Sequence, residues 1–318
     1  MYWWTNFYSE WYSKMYVKIK DIEFASPILT ASGTYGYGHE VDGLANVNKW
    51  GGLITKSVTL NPREGNPPPR ISETSSGMLN SIGLANLGVE KYCRDIIPSL
   101  NKLKTKVIIN IAGSEVNDYI ETLKILENVK SKHIGYEINI SCPNVKEGGM
   151  AFGVSNEMTE KLTSKMRKLT NRLLIMKLSP NVTCIEDIAK AAEAGGADAV
   201  SAINTVVGMA IDIKSRMPKL FTNYGGLSGP AIKPISIANV NKVYRAVNIP
   251  VIGIGGITKF EDIIEFMLAG ASMVQIGTMN YKNPNLGLEF KTQLRQYMEE
   301  NKISDIAELV GGVKYHSE

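Results

Sequence analysis

Eight short segments rich in Ile and Val recur along the chain, at 27–33, 52–59, 106–113, 136–141, 173–179, 199–204, 250–256 and 272–277. They are apolar almost throughout, so each needs cover on both faces of a sheet. Between them lie stretches with a helical apolar period, among them 116–130, 157–172, 185–194, 235–247 and 259–269. Such alternation reads as an α/β fold, a parallel sheet flanked by helices. Eight units in 318 residues fit a (β/α)8 TIM barrel. A doubly wound open sheet, the competing reading, more usually has about six strands. Two connections are long. One runs from 60 to about 90 and is rich in Pro, Gly and Asn; the other runs from 206 to 234 and contains Gly225-Gly226-Leu227-Ser228-Gly229-Pro230. Long loops in a compact domain are commonly functional, and in a barrel they would overhang the active-site face as a lid.

Polar residues and glycines gather where the apolar segments end: Ala31-Ser32-Gly33, Lys56-Ser57, Asn110, Asn139 with Cys142, Lys177, Asn204-Thr205, Gly255-Gly256 and Gly277-Thr278. In a barrel all these ends open on one face, which carries the chemistry. Gly253-Ile254-Gly255-Gly256 and Gly277-Thr278 follow the seventh and eighth segments, where barrels often bind phosphate on backbone N–H groups. Tight turns that need glycine are the plainer reading. Lys56 and Lys177 end apolar segments. A lysine there is costly to bury without an anion, unless it snorkels to the rim. Asn80, Asn139, Asn144 and Asn204 offer amides that both donate and accept, suited to a planar polar ligand, although each alone serves equally well as a turn or cap. Cys142 stands between Asn139 and Asn144 at one of these ends. It could be a base, a nucleophile, a ligand or a plain buried thiol. No Ser–His–Asp or Cys–His pairing is evident, which gives acyl transfer little support.

Composition narrows the classes. A net charge of +4 gives no reason to propose nucleic acid as a partner. The longest apolar runs, such as 173–176, are far too short to span a bilayer. Cys93, Cys142 and Cys184 are widely spaced with no CxxC pair, which argues against a disulfide framework or a cysteine-ligated metal and suits a reducing cytoplasm. His39, His133 and His316 show no metal-ligand spacing. Residues 1–16 are crowded with aromatics, including Trp3, Trp4, Phe7 and Trp11, and lack the form of a signal peptide. They read as an N-terminal extension, with Met15 near the natural start, a first strand at 17–22 and a single domain over 17–318.

Several motifs, long and in order from about residue 17 onward, resemble those of dihydroorotate dehydrogenases: Ala31-Ser32-Gly33-Thr34, Thr55-Lys56-Ser57-Val58-Thr59, the segments 65–70 and 77–84, Asn139-Ile140-Ser141-Cys142-Pro143-Asn144, Lys177-Leu178-Ser179-Pro180 and the segment 225–232. The resemblance implies an FMN-dependent barrel that oxidises dihydroorotate to orotate in pyrimidine biosynthesis. Cys142 would be the base at C5, with Lys56 beside it and hydride passing from C6 to FMN. Lys56, Asn80, Ser81, Ile82, Gly83, Leu84, Asn139, Asn144, Asn204 and Thr205 match substrate positions. Ser32, Lys56, Ser57, Asn110, Asn139, Lys177, Ile203, Gly229, Gly255, Gly256, Gly277 and Thr278 match FMN positions. Residues 143–153 would form the lid over the substrate. Cysteine at the base position is similar to class 1, and the stretch from Ile203 to Pro234 to class 1B. That implies a partner subunit carrying FAD and a 2Fe–2S cluster, NAD as final acceptor, and a heterotetramer around a dimer of this chain. With no cysteine cluster and no GxGxxG after a strand, those centres are expected on the partner. The chain departs from the pattern in its aromatic start and in Leu84-Ala85-Asn86, where many relatives have glutamine before the asparagine. A class 1A-like enzyme reducing fumarate without a partner, and a non-redox phosphate-binding barrel such as an isomerase or lyase, are the competing functions.

Overall fold

A computed structural model describes residues 14–140 and 155–316. Its centre is a closed parallel barrel of eight strands: β1 (Ile28–Thr30), β2 (Gly52–Ile54), β3 (Lys106–Ile111), β4 (Gly135–Asn139), β5 (Leu173–Lys177), β6 (Ala199–Ala202), β7 (Val251–Ile254) and β8 (Ala271–Ile276). Each pairs with the next in sequence, and β8 closes onto β1. One strand falls on each of the eight apolar segments, those at Gly135–Asn139 and Ala271–Ile276 starting one residue earlier than the segment. Most segments run on past the strand because the polar residues at their ends have left the ladder and turned toward the barrel mouth.

Among the described residues the α-helices, in chain order, are α1 (Val89–Asp95), α2 (Ile97–Leu100), α3 (Val116–Glu127), α4 (Asn156–Arg167), α5 (Ile185–Ala194), α6 (Lys233–Tyr244), α7 (Phe260–Leu268) and α8 (Leu286–Glu300). In α5, Ile185, Ile188, Ala189 and Ala192 are buried, the single apolar stripe expected of a helix lying on a sheet. The β1–β2 connection carries no α-helix, only the short 3₁₀ turns His39–Val41 and Val47–Lys49. Tyr35 and Trp50 fill that gap edge to face, with ring centroids 5.5 Å apart. The bare Gly287 of α8 lets the Trp50 ring approach, for a Cβ there would lie 2.5 Å from it.

The 17–22 segment is a hairpin rather than a lone strand, with Val17–Ile19 antiparallel to Ile22–Phe24. Lys20 turns it at φ 57°. Ile19 and Phe24 join Leu29, Ile54, Ile108 and Leu173 in one apolar cluster. Residues 14–16 are tied to the body of the fold: Lys14 donates to the Ser304 carbonyl and accepts from Ile306 N–H, and Met15 is buried. The aromatic residues 1–13 lie outside the described residues.

The two long connections are not plain loops. Ile71–Thr74 and Gly77–Asn80 form a hairpin, Gly225–Ser228 adds to its second strand, and Val206–Gly208 adds to that. This four-stranded antiparallel sheet joins both connections and contributes residues from each to the wall of the cavity described next. Among the described residues no helix is long and apolar enough to cross a membrane.

Candidate active site

A cavity of about 920 Å³ opens at the C-terminal ends of the strands. That is within the range of sites for a small-molecule cofactor or substrate. Of the residues singled out from the sequence, Ser32, Lys56, Ser57, Asn80, Ser81, Ile82, Gly83, Leu84, Asn139, Lys177, Ile203, Asn204, Thr205, Gly229, Gly255, Gly256, Gly277 and Thr278 all line it. They come from seven of the eight strand ends, or the loops following them, and from both long connections. Cys142, Asn144 and the expected lid 143–153 lie outside the described residues. Asn110 is fully buried and is not part of the cavity wall.

Beneath the wall lies a polar layer. Glu137, on β4 and fully buried, accepts from Asn110 Nδ2 at 2.7 Å, Ser201 Oγ at 2.9 Å and Gln275 Nε2 at 2.6 Å. The Lys177 ammonium lies 3.5 Å away on the same side as Asn110. Asn110 Oδ1 in turn accepts from Ser57 Oγ at 2.6 Å. The sequence had pointed to Asn110 as a ligand residue; the structure gives both halves of its amide to protein partners. Glu137, Ser201 and Gln275 were not anticipated. The one signal for them was polar side chains inside otherwise apolar strands, which is costly unless they are mutually satisfied.

Part of the cavity wall is mostly backbone. The backbone N–H groups of Gly255, Gly256 and Thr278 donate no hydrogen bond to a described residue. Gly256 has φ +80°, and a Cβ there would sit 2.7 Å from the Lys233 backbone nitrogen. Thr278 Oγ1 donates to Ser228 Oγ at 2.8 Å. Bare N–H groups beside small residues suit an anion such as phosphate. Behind them Lys233 pairs with Asp262 at 2.8 Å and Glu265 at 2.7 Å. Burial pushes the Asp262 carboxyl up, but Lys233 and the N–H groups of Thr258 and Lys259 outweigh it, and the group sits below the usual carboxylate range.

Another part of the wall offers amides and a left-handed turn. Gly83 and Leu84 have φ +76° and +57°. Ser81 Oγ is buried without a partner among the described residues, an orphaned donor that a bound ligand would satisfy. Asn80 donates to the Gly226 carbonyl at 3.3 Å, and Asn204 Nδ2 to Asn139 Oδ1 at 3.3 Å. Two further cavity residues organise this wall. Asn66 donates to the Ser81 carbonyl at 3.0 Å, and Asn181 donates to the Thr205 carbonyl at 3.0 Å while accepting from Val207 N–H. No described residue accepts a hydrogen bond from the Lys56 ammonium, which also lines the cavity.

Backbone N–H groups suited to an anion, two ammonium groups and several amides, all on the wall of one cavity, fit FMN beside a small polar acid. Fold and site together define a (β/α)8 barrel enzyme with a mononucleotide-sized site at its mouth. The family model described as dihydroorotate dehydrogenase matches residues 14–298. Curated relatives agree. The chain is 47% identical over 298 residues to a Bacteroides thetaiotaomicron protein named dihydroorotate dehydrogenase B (NAD(+)), catalytic subunit, covering 94% of this chain and 98% of the relative. Proteins of the same name from Thermoanaerobacter pseudethanolicus and Alkaliphilus oremlandii are 48% and 49% identical, covering 94% and 93% of this chain and 98% of each relative. The chain belongs to the dihydroorotate dehydrogenase family and is an oxidoreductase.

Proposed function

We propose that this chain oxidises (S)-dihydroorotate to orotate, with FMN in the barrel mouth and NAD as the final acceptor. The observation that carries the reading is convergence: apart from Asn110, the described residues matched to FMN and to substrate, taken from separate strand ends and both long connections, line one cavity. The backbone of Gly255, Gly256 and Thr278 would hold the phosphate, and Lys177, Ser57 and Asn139 would face the ring. Lys56 would lie between the two ligands, its ammonium supplying positive charge to the substrate carboxylate or the ring. The amide N–H groups of Gly83 and Leu84 and the side chains of Asn80, Asn139, Asn144 and Asn204 would fix the substrate's planar edge. Cys142, as thiolate, would take the C5 proton, which the neighbouring carbonyl acidifies. The C5–H electron pair then becomes the second bond between C5 and C6 as hydride leaves C6. FMN, when bound, supplies the acceptor for that hydride.

The names of the relatives, each a catalytic subunit of an NAD(+) enzyme, support a partner subunit. On this reading that partner carries FAD and a 2Fe–2S cluster, in a heterotetramer around a dimer of this chain in the cytoplasm. Native purification tests this. The chain should leave the cell with a second polypeptide, FMN, FAD and iron, and the complex should reduce NAD as orotate forms. Turnover of the isolated chain with fumarate would contradict the NAD assignment. A colourless protein that binds phosphate ligands without flavin would contradict the function altogether.

A further inference from the structure

The two lysines of the cavity are held in opposite ways. Lys56 has no acceptor among the described residues, whereas the Lys177 ammonium stands 3.5 Å from a carboxylate that is fully buried beneath it. That carboxylate, Glu137, meets only groups able to donate: amides of Asn110 and Gln275, the Ser201 hydroxyl and the ammonium itself. Amide N–H and ammonium groups have no acceptor capacity, so the surroundings fit an ionised carboxylate. A neutral side chain would be cheaper to bury there if shape alone mattered. The chain of bonds also assigns roles outward. Asn110 gives its N–H to Glu137 and so turns its carbonyl to the Ser57 hydroxyl. Ser57 has then spent its proton and can only accept from a ligand. At 3.5 Å the ion pair is loose and leaves ammonium protons available to the cavity.

We propose that Glu137 is a positioning residue: it fixes the Lys177 ammonium and, through Asn110, the Ser57 hydroxyl, and its charge tempers how strongly Lys177 stabilises negative charge on a flavin ring. The inference rests on the FMN reading above and adds to it a built-in counter-charge for one lysine and not the other.

The test is Glu137→Gln in the purified FMN-loaded protein, read by sulfite titration and by the flavin midpoint potential. Sulfite adds to a flavin and leaves negative charge on the ring, so it reports the local positive field without turnover. The Gln275 Oε1 atom has no partner among the described residues. Its amide can therefore reverse to accept from the new side-chain N–H, and the shape of the layer is kept. With the carboxylate neutralised, the sulfite dissociation constant should fall at least ~10-fold, as expected for one charge at short range, and the midpoint potential should rise. A merely structural role predicts the reverse, because a displaced Lys177 would weaken sulfite binding. Unchanged or weaker sulfite binding overturns the proposal. If the single variant does not fold, Glu137→Gln with Gln275→Glu keeps one carboxylate in the layer but takes it off Lys177. Sulfite should again bind more tightly, and the absence of tightening overturns the proposal. A wild-type chain that takes up no FMN overturns both this inference and the reading beneath it, whereas a wild type that binds FMN alongside an unshifted variant overturns this inference alone.

Discussion

Cys142 carries the sharpest prediction at the scale of single residues. Replacing its thiol with the far less acidic hydroxyl in Cys142→Ser should cut dihydroorotate oxidation near neutral pH by ~10²–10⁴-fold, the usual worth of a positioned base, while FMN content stays the same. Steady-state assay with an artificial acceptor checks it, and unchanged turnover would remove the base role. Such residues were legible because a polar group at the end of an apolar strand is conspicuous: Lys56, Lys177 and Asn139 could each be picked out, and each lines the cavity. Glu137 was not, because it lies within the strand, and nothing local says that four donors from four other strands will meet it. Asn110 shows the converse. Its position was legible, but the burial that commits its amide to Ser57 and Glu137 arises only once the barrel closes.

Elements follow the same division. The eight strands were legible because their cover on both faces is written as continuous apolar runs, and α5 because its stripe keeps a helical period. The four-stranded sheet at the mouth was not. Its pairings, such as Met78 with Ser228, join distant segments, and Gly225–Ser228 has no apolar alternation to betray a strand. The turn after β7 yields a prediction. At Gly256, alanine would bring a Cβ to 2.7 Å from Lys233 N in a left-handed conformation. Backbone shift there should weaken FMN binding at least ~10-fold, since about 1.4 kcal/mol suffices, with the barrel intact by circular dichroism. Fluorescence titration of apoprotein measures it, and unaltered affinity would separate the turn from the phosphate. The loop leading into β4 yields another. His133 is buried, with Nε2 2.8 Å from the Tyr136 hydroxyl. Burial, helped by the Arg172 charge, pushes its pKa down to about 3. Between the ordinary histidine range near ~6.5 and that value, the unfolded chain holds a proton that the folded chain lacks. His133 therefore contributes stability that is complete above ~6.5 and is lost as pH falls, at no more than about 1.4 kcal/mol per pH unit. The thermal midpoint should drop from pH 6.5 to 4, and His133→Gln should flatten that slope. An equally steep slope in the variant would assign the acid sensitivity elsewhere.

For the whole molecule, the barrel supplies one face on which distant strand ends meet, and that convergence turns separate lysines, amides and glycines into a site. The family was legible in ordered motifs, and the match over residues 14–298 bears it out. The electron path beyond the flavin was not legible in the physics of this chain, because the groups that carry it are proposed to sit on another polypeptide. This chain alone should suffice for the first half of the reaction, its cavity binding FMN and letting dihydroorotate reduce it. Anaerobic titration of the isolated, FMN-loaded chain with dihydroorotate tests that directly. Stoichiometric bleaching of the flavin absorbance with formation of orotate is the expected result. A chain that takes up no flavin, or a bound flavin that dihydroorotate leaves oxidised, would contradict it.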